Sequence, residues 1–161
     1  MRILPAIAAV ILVLLDQGTK MLALESLKPL GSVTLAPGLL DLTFVENRGV
    51  AFGMFSGQRW MILVLTGAII GALVYYYRKL PEGNGYRWVR CALVMVLAGA
   101  AGNLIDRIFR GYVVDFFEFT FVKWYVFNMA DIYVVLGVIW LLFLMFFVIK
   151  EEAGPEGKKG D

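Results

Sequence analysis

Four long apolar runs, spaced along a chain of 161 residues, constrain this sequence more than any other feature. They are Ile3–Leu24, Trp60–Tyr77, Val89–Ile105 and Ile132–Ile149, and each approaches the roughly 20 residues a helix needs to cross a bilayer core. With 60% hydrophobic and 17% charged residues, the chain has the makeup of an integral membrane protein and not of a soluble domain. The run lengths suit helices, since barrel strands are shorter and alternate. The expected fold is therefore mainly α, with four transmembrane helices, and residues 1–161 read as a single membrane domain.

The first run follows Arg2 as a secretory signal would, but Glu25, Ser26 and Leu27 make no small-residue cleavage site, so it reads as a retained span. An even number of spans puts both termini on one side, together with the loop Arg78–Arg87. The Lys and Arg residues there (Arg2, Arg78, Lys79, Arg87, Arg90, Lys150, Lys158, Lys159) make that side cytoplasmic by the positive-inside rule. The cations on the other side are interleaved with carboxylates. The tail 150–161 is charged and glycine-rich, a composition expected to be disordered.

Two outer segments carry a different period. Leu40, Leu42 and Phe44 alternate with Asp41 and Thr43, as in a half-buried strand, and predict a small extracytoplasmic β-sheet. From Asp115 to Val126 the chain alternates again, Phe117, Phe119 and Phe121 against Glu118, Thr120 and Lys123, and ends in Trp124 and Tyr125. Those rings predict an aromatic segment at the membrane interface.

The available chemistry is narrow. There is no histidine, which removes Ser-His and Cys-His catalysis and the commonest zinc ligand. The single Cys91 lies in the third apolar run and reads as a packing residue. A net charge of +2 with no basic stripe gives no footprint for nucleic acid. What remains is carboxylate, hydroxyl, lysine and amide chemistry.

Carboxylates at bilayer depth cost free energy and by default mark function. Asp16 and Lys20 lie one turn apart near the outer part of the first helix and can pair there, a role that is structural or functional with equal weight. Glu46-Asn47-Arg48-Gly49 on its own reads as a turn. The third span ends in Gly99, Gly102, Asn103, Asp106 and Arg107, with small residues that permit close helix approach and a neighbouring Asp106–Arg107 pair expected to be structural. Asn128 and Asp131 repeat the Asn103–Asp106 spacing at the start of the fourth span, where an N-cap and its reciprocal partner would stand. Capping alone does not explain why Asp106, Arg107, Asp115, Asn128 and Asp131 gather where two spans surface. Asp115 and Asp131 lack an adjacent cation and are the expected dyad.

Five segments in order, Asp16-Gln17-x-x-Lys20, Asn47-Arg48-Gly49-Val50-Ala51-Phe52, Gly102-Asn103-x-x-Asp106-Arg107, Val113-Val114-Asp115-Phe116 and Phe127-Asn128-x-Ala130-Asp131, resemble the motifs of the lipoprotein signal peptidase (signal peptidase II) family. The match spans nearly the whole chain up to its tail, with one departure: Val50 stands where the family pattern has alanine. The resemblance implies an aspartic endopeptidase of the bacterial inner membrane that removes signal peptides from prolipoproteins by cutting before a diacylglyceryl-modified cysteine. Asp115 and Asp131 match its catalytic pair, and Asp16, Lys20, Asn47, Arg48, Gly49, Asn103, Asp106, Arg107, Asn128 and Ala130 its substrate-binding or supporting positions. Prolipoprotein and membrane lipid are the implied partners, a monomer the implied state, and neither metal nor cofactor is expected.

Two close carboxylates tend to share one proton, which supplies a base and an acid in one site. Asp131, expected in the first turn of a helix, is the better candidate for the ionised member. The rival class is a small proton-coupled transporter, which calls for charges at the bilayer midplane instead of at one face. A Ser-Lys peptidase built on Ser26 or Ser32 with Lys20 or Lys28 needs no histidine but has no supporting constellation.

Overall fold

The structure, a computed structural model, describes residues 3–49 and 57–148. The segment Val50-Ala51-Phe52, with the alanine-to-valine departure, and the tail 150–161 lie outside the described residues.

Four helices are long and apolar enough to cross a membrane: Leu4–Leu27, Arg59–Lys79, Gly85–Phe109 and Met129–Phe147. In chain order, α1 (Ile3–Leu22) runs on through a π-helical turn at Ala23–Leu27, and β1 (Ser32–Ala36) and β2 (Leu40–Asn47) form a hairpin. Then come α2 (Arg59–Lys79), α3 (Asn84–Phe109), β3 (Val113–Phe119) and α4 (Met129–Phe143), the last closing in a π-helical turn at Leu144–Val148. Asp106 and Arg107 end α3, as the sequence reading placed them, and the helix begins earlier than the apolar run, with 84–87 of the expected loop already in its first turn. At the other end Asp106 and Arg107 stay helical because their side chains find partners inside the protein, and no buried side-chain nitrogen or oxygen lacks one among the described residues.

α3 is the axis of the bundle, packing against α1, α2 and α4. Half of its apolar stretch is buried, against 6% for α2, which packs on α3 and leaves most of its surface exposed. Glycines allow the close approach. A Cβ at Gly99 would collide with the Ala130 carbonyl, and one at Gly137 would lie 2.7 Å from Val96 Cγ2 and 2.9 Å from the Ala92 carbonyl. Large apolar side chains on the outside, among them Leu14, Val64 and Ile139, are left for the bilayer.

The sheet is antiparallel in the order β1-β2-β3. The alternation noted from Asp115 to Val126 is strand only as far as Phe119, and Phe127 returns in a single bridge to Phe117. β1 was not foreseen, because Ser32-Val33-Thr34-Leu35-Ala36 is exposed almost throughout and lacks a buried face to pattern it. All of β2 is half-buried, so its alternation marks a strand without dividing it into core and solvent faces.

One irregularity decides the geometry that follows. β2 pairs Leu42 with Phe117 and Val45 with Asp115, three residues of one strand advancing against two of the other. This extra residue turns Asn47 onto the face that carries Leu42, Phe117 and Asp115, whereas strict alternation would place it on the other. Buried Val114 and Phe116 then pack on Ala23 and Leu27, which fixes the sheet against the end of α1.

Candidate active site

The C-terminal end of α3 supports the site from below. Asp106 lies within α3 with 0% exposure, and its Oδ2 accepts the Val114 N–H at 3.0 Å, which anchors the start of β3. Its backbone carbonyl accepts from Arg110 and from Gly111, whose φ of +82° ends the helix in the left-handed conformation that glycine adopts without strain. Arg59, at the start of α2, donates to the carbonyls of Arg107 and Ile108, each at 2.8 Å, and so closes the same helix end. Nothing in its local sequence sets Arg59 apart from other helix-terminal cations.

Asp16 and Lys20 pair one turn apart as expected, at 2.9 Å, and both have 0% exposure. Lys20 Nζ also reaches Asp106 Oδ2 at 3.2 Å and Asn103 Oδ1 at 2.9 Å. Arg110 pairs with Asp106 and donates to Gln17 Oε1. The expected Asp106–Arg107 pair does not form. Neighbouring residues on a helix point about 100° apart, so the two side chains diverge. Arg107 instead donates to the Gly49 carbonyl at 2.9 Å and to the Asn103 carbonyl at 3.4 Å.

The amino end of α4 closes the site. Asn128 is the N-cap: its Oδ1 accepts the Asp131 N–H at 3.1 Å while Asp131 Oδ2 accepts the Asn128 N–H at 3.2 Å, a reciprocal capping box. The Phe127 carbonyl accepts from the Phe116 and Phe117 N–H groups, which brings the N-cap alongside β3. Ala130 donates its N–H to Asp16 Oδ1 at 3.0 Å, and a Cβ at Gly102 would strike the Asp16 carboxylate, so α1, α3 and α4 interlock here with no room to spare.

Asp115 and Asp131 line one cavity of about 170 Å³, together with Asn47, Asn103, Arg107, Val113 and Tyr125. Neither carboxylate belongs to any ion pair among the described residues. Amides hold them. Asp115 accepts from Asn47 Nδ2 at 2.9 Å and from Asn128 Nδ2 at 2.6 Å, and Asp131 Oδ1 accepts from Asn103 Nδ2 at 2.8 Å. Burial, and next the Asp131 charge, push the Asp115 carboxyl up to about 7, against the pull of its two amide donors. Near neutral pH one proton is therefore readily kept in the cavity.

Most of the residues singled out from sequence converge here. Asn47 serves two purposes, since its Oδ1 takes the Gly49 N–H at 3.0 Å in the expected turn while its amide reaches Asp115. Arg48 is not brought in: it is exposed, bonds Glu46 at 3.0 Å and lies over the Tyr112 ring. Tyr125 was read from sequence only as an interfacial ring, yet it lines the cavity and stacks on Trp124 with ring centres 5.2 Å apart. Burial, with the Asp131 and Asp115 charges behind it, raises its phenol above the usual range. Lys20 and Lys28 are both engaged with carboxylates and Ser32 with Thr43, which removes the Ser-Lys arrangement. Among the described residues, no group of three cysteine or carboxylate side chains gathers in a way that could hold a metal ion.

Known proteins are similar to this one over nearly all of the chain. The lipoprotein signal peptidase of Caldanaerobacter subterraneus subsp. tengcongensis is 47% identical over 135 residues, which is 84% of this chain and 90% of that protein. That of Halothermothrix orenii is 41% identical, covering 92% of this chain and 97% of its own. A bacterial membrane enzyme solved by the in meso method at 2.3 Å superposes with a TM-score of 0.83 at 30% identity, covering 100% of this chain and 96% of that one. A family model described as Signal peptidase (SPase) II matches residues 8–147, and with relatives this similar over this much of its length the chain belongs to the signal peptidase II family of bacterial membrane proteases.

Proposed function

We propose that this protein is an aspartic endopeptidase that removes signal peptides from prolipoproteins, cutting before a diacylglyceryl-modified cysteine, with Asp115 and Asp131 as its hydrolytic pair. The observation that carries this reading is that these two carboxylates, which have no ion pair among the described residues, face one cavity and accept from amides there. The family and the names of its relatives support prolipoprotein processing. They lend nothing to the transporter alternative.

Asp131 at the third position of α4 sits where the helix dipole favours negative charge and acts as the base. It takes a proton from a water as the water oxygen attacks the scissile carbonyl. Asp115, which keeps its proton up to about pH 7, donates to the developing oxyanion. On collapse of the tetrahedral intermediate the C–N bond breaks, the proton held by Asp131 passes to the leaving amine, and a hydroxyl proton of the gem-diol returns to Asp115 as the new carboxyl forms, which restores the dyad. Arg107 and Asn47 line the same cavity and are placed to orient the substrate backbone.

The C-terminal ends of α1 and α3 and the amino ends of α2 and α4 meet at the sheet, which supports a site at one membrane face with both termini at the other. By the distribution of Lys and Arg, the site face is extracytoplasmic and the termini cytoplasmic. The apolar outer faces of the helices would receive the lipid chains and the signal helix, with a single copy sufficing.

The test uses the purified, detergent-solubilised protein with a diacylglyceryl-modified prolipoprotein and its unmodified counterpart. Cleavage of the lipidated substrate alone, abolished in folded Asp115→Asn and Asp131→Asn variants, is the expected result. Persistence in either variant would remove that carboxylate from the mechanism, and cleavage of both substrates would remove the lipid requirement.

A further inference from the structure

The amide chain beside the dyad has a direction, and a buried cation outside the cavity sets it. Asn128 is oriented by backbone: its Oδ1 takes the Asp131 N–H, which turns Nδ2 toward Asp115 Oδ1 at 2.6 Å and Asn103 Oδ1 at 3.1 Å. Asn103 has no backbone anchor on its amide: its Oδ1 is held by the neutral Asn128 Nδ2 at 3.1 Å and by the Lys20 ammonium at 2.9 Å. An amide turned by half a circle keeps its shape while exchanging donor for acceptor. In the turned form Asn103 would present an oxygen to the Asp131 carboxylate and lose the donor that Asp131 Oδ1 now receives at 2.8 Å.

Lys20 makes the turned form untenable. An ammonium has three donors and no acceptor. Its contacts at 2.9 Å to Asp16 Oδ2, 3.2 Å to Asp106 Oδ2 and 2.9 Å to Asn103 Oδ1 use all three, and with 0% exposure no water can replace any of them. A turned Asn103 would set its amide N–H groups against that ammonium and against Asn128 Nδ2. The bond to Asn103 is charge-assisted and so among the stronger kind. The cluster around it (Lys20 and Arg110 against Asp16 and Asp106) is balanced in charge, so it can be buried without a net charge at membrane depth.

We infer that Lys20 is a positioning residue for hydrolysis: by holding Asn103 Oδ1, it forces the Asn103 amide to donate into Asp131 and so fixes which way the dyad's hydrogen bonds run. Lys20 does not line the cavity and touches neither member of the dyad. The charged and titratable groups facing the dyad from the packed elements are Arg107 of α3, Tyr125 before α4 and, behind Asn103, Lys20 with Asp16, Asp106 and Arg110. The Lys20 charge also pulls the Asp115 carboxyl down, the smallest of the influences on it.

This inference rests on Asp115 and Asp131 being the hydrolytic pair, and the experiment separates the two. Lys20→Met removes the donors and the charge, while Lys20→Gln restores N–H groups without charge. Each purified variant is assayed for kcat, KM and the pH dependence of kcat on the lipidated prolipoprotein, beside wild type and the two Asp→Asn variants, with thermal melts to show folding. The expected result is a kcat lowered about 100-fold in Lys20→Met with KM within about threefold, and recovery of about tenfold in Lys20→Gln. In both, the alkaline limb should move to higher pH as Asp115 is relieved of the Lys20 charge. If Lys20→Met does not fold, Lys20→Gln decides by the same limb and by a kcat within about tenfold of wild type. Wild-type kcat and limb in folded Lys20→Met, equal losses in both variants, or a loss confined to KM would overturn the inference. Cleavage surviving in the Asp→Asn variants would instead remove the dyad reading beneath it.

Discussion

Two carboxylate pairs stand side by side in this protein, and they are held by opposite means. Asp16 and Asp106 are saturated with cations, Lys20 between them and Arg110 outside, and they tie three helices and a strand together. Asp115 and Asp131 accept from amides, have no ion pair among the described residues and face a cavity. A cation within contact distance would keep a carboxylate ionised and unable to donate a proton, whereas an amide orients it and leaves the proton free to be gained or lost. The contrast therefore separates carboxylates suited to holding structure from carboxylates suited to moving protons. Asn103 joins the two, taking Lys20 on its oxygen and giving its amide to Asp131.

The sharpest way to break the comparison is to neutralise each pair in turn. Asp115→Asn should lower kcat/KM by at least about 10³-fold while the fold survives, checked by single-turnover cleavage and a thermal melt. The same substitution should also remove a pH dependence of stability. The folded Asp115 carboxyl, at about 7, lies above the ordinary carboxylate value, so its contribution is fully present below about pH 4 and is lost as pH rises through about 7. Wild type should therefore lose melting temperature across that window relative to Asp115→Asn, and parallel curves would count against the raised carboxyl.

The other pair should answer in stability. Asp106→Ala strips partners from Lys20, Arg110 and the Val114 amide, and is expected to cost about 3–5 kcal/mol by denaturant or thermal unfolding in detergent. A mild effect would mean that the cluster does not organise the fold. Gly102→Ala should cost about 1–3 kcal/mol, because its Cβ meets the Asp16 carboxylate at a packed helix crossing. Least of all, Glu46→Gln removes the negative charge that pairs with Lys28 and Arg48 in an exposed cluster, and should leave both the melt and cleavage at their wild-type values.

Much of the bundle and the site could be read from the order of residues, because membrane burial and capping leave local marks. Apolar runs signalled helices, the Asn128–Asp131 spacing signalled a capped start, and the want of an adjacent cation singled out Asp115 and Asp131. Where the reading failed, a partner distant in sequence decided. Arg107 sits beside Asp106 but points elsewhere, to Gly49, and Arg110 takes its place. Tyr125 has the composition of an interfacial ring and becomes a cavity wall only because Phe127 is bridged to β3.

By itself the sequence determined that this chain spans a membrane, that its chemistry is carboxylate and amide chemistry, and which carboxylates were candidates, since hydrophobic length and residue type are properties of single segments. Tertiary structure decided which carboxylates meet cations and which meet amides. That depends on the strand irregularity that turns Asn47 toward Asp115, on glycines that let α1, α3 and α4 close around Asp16, and on Lys20 reaching across to α3. Hydrogen-bond partners are chosen by distances of a few ångströms between segments far apart in the chain, and no local pattern encodes those distances.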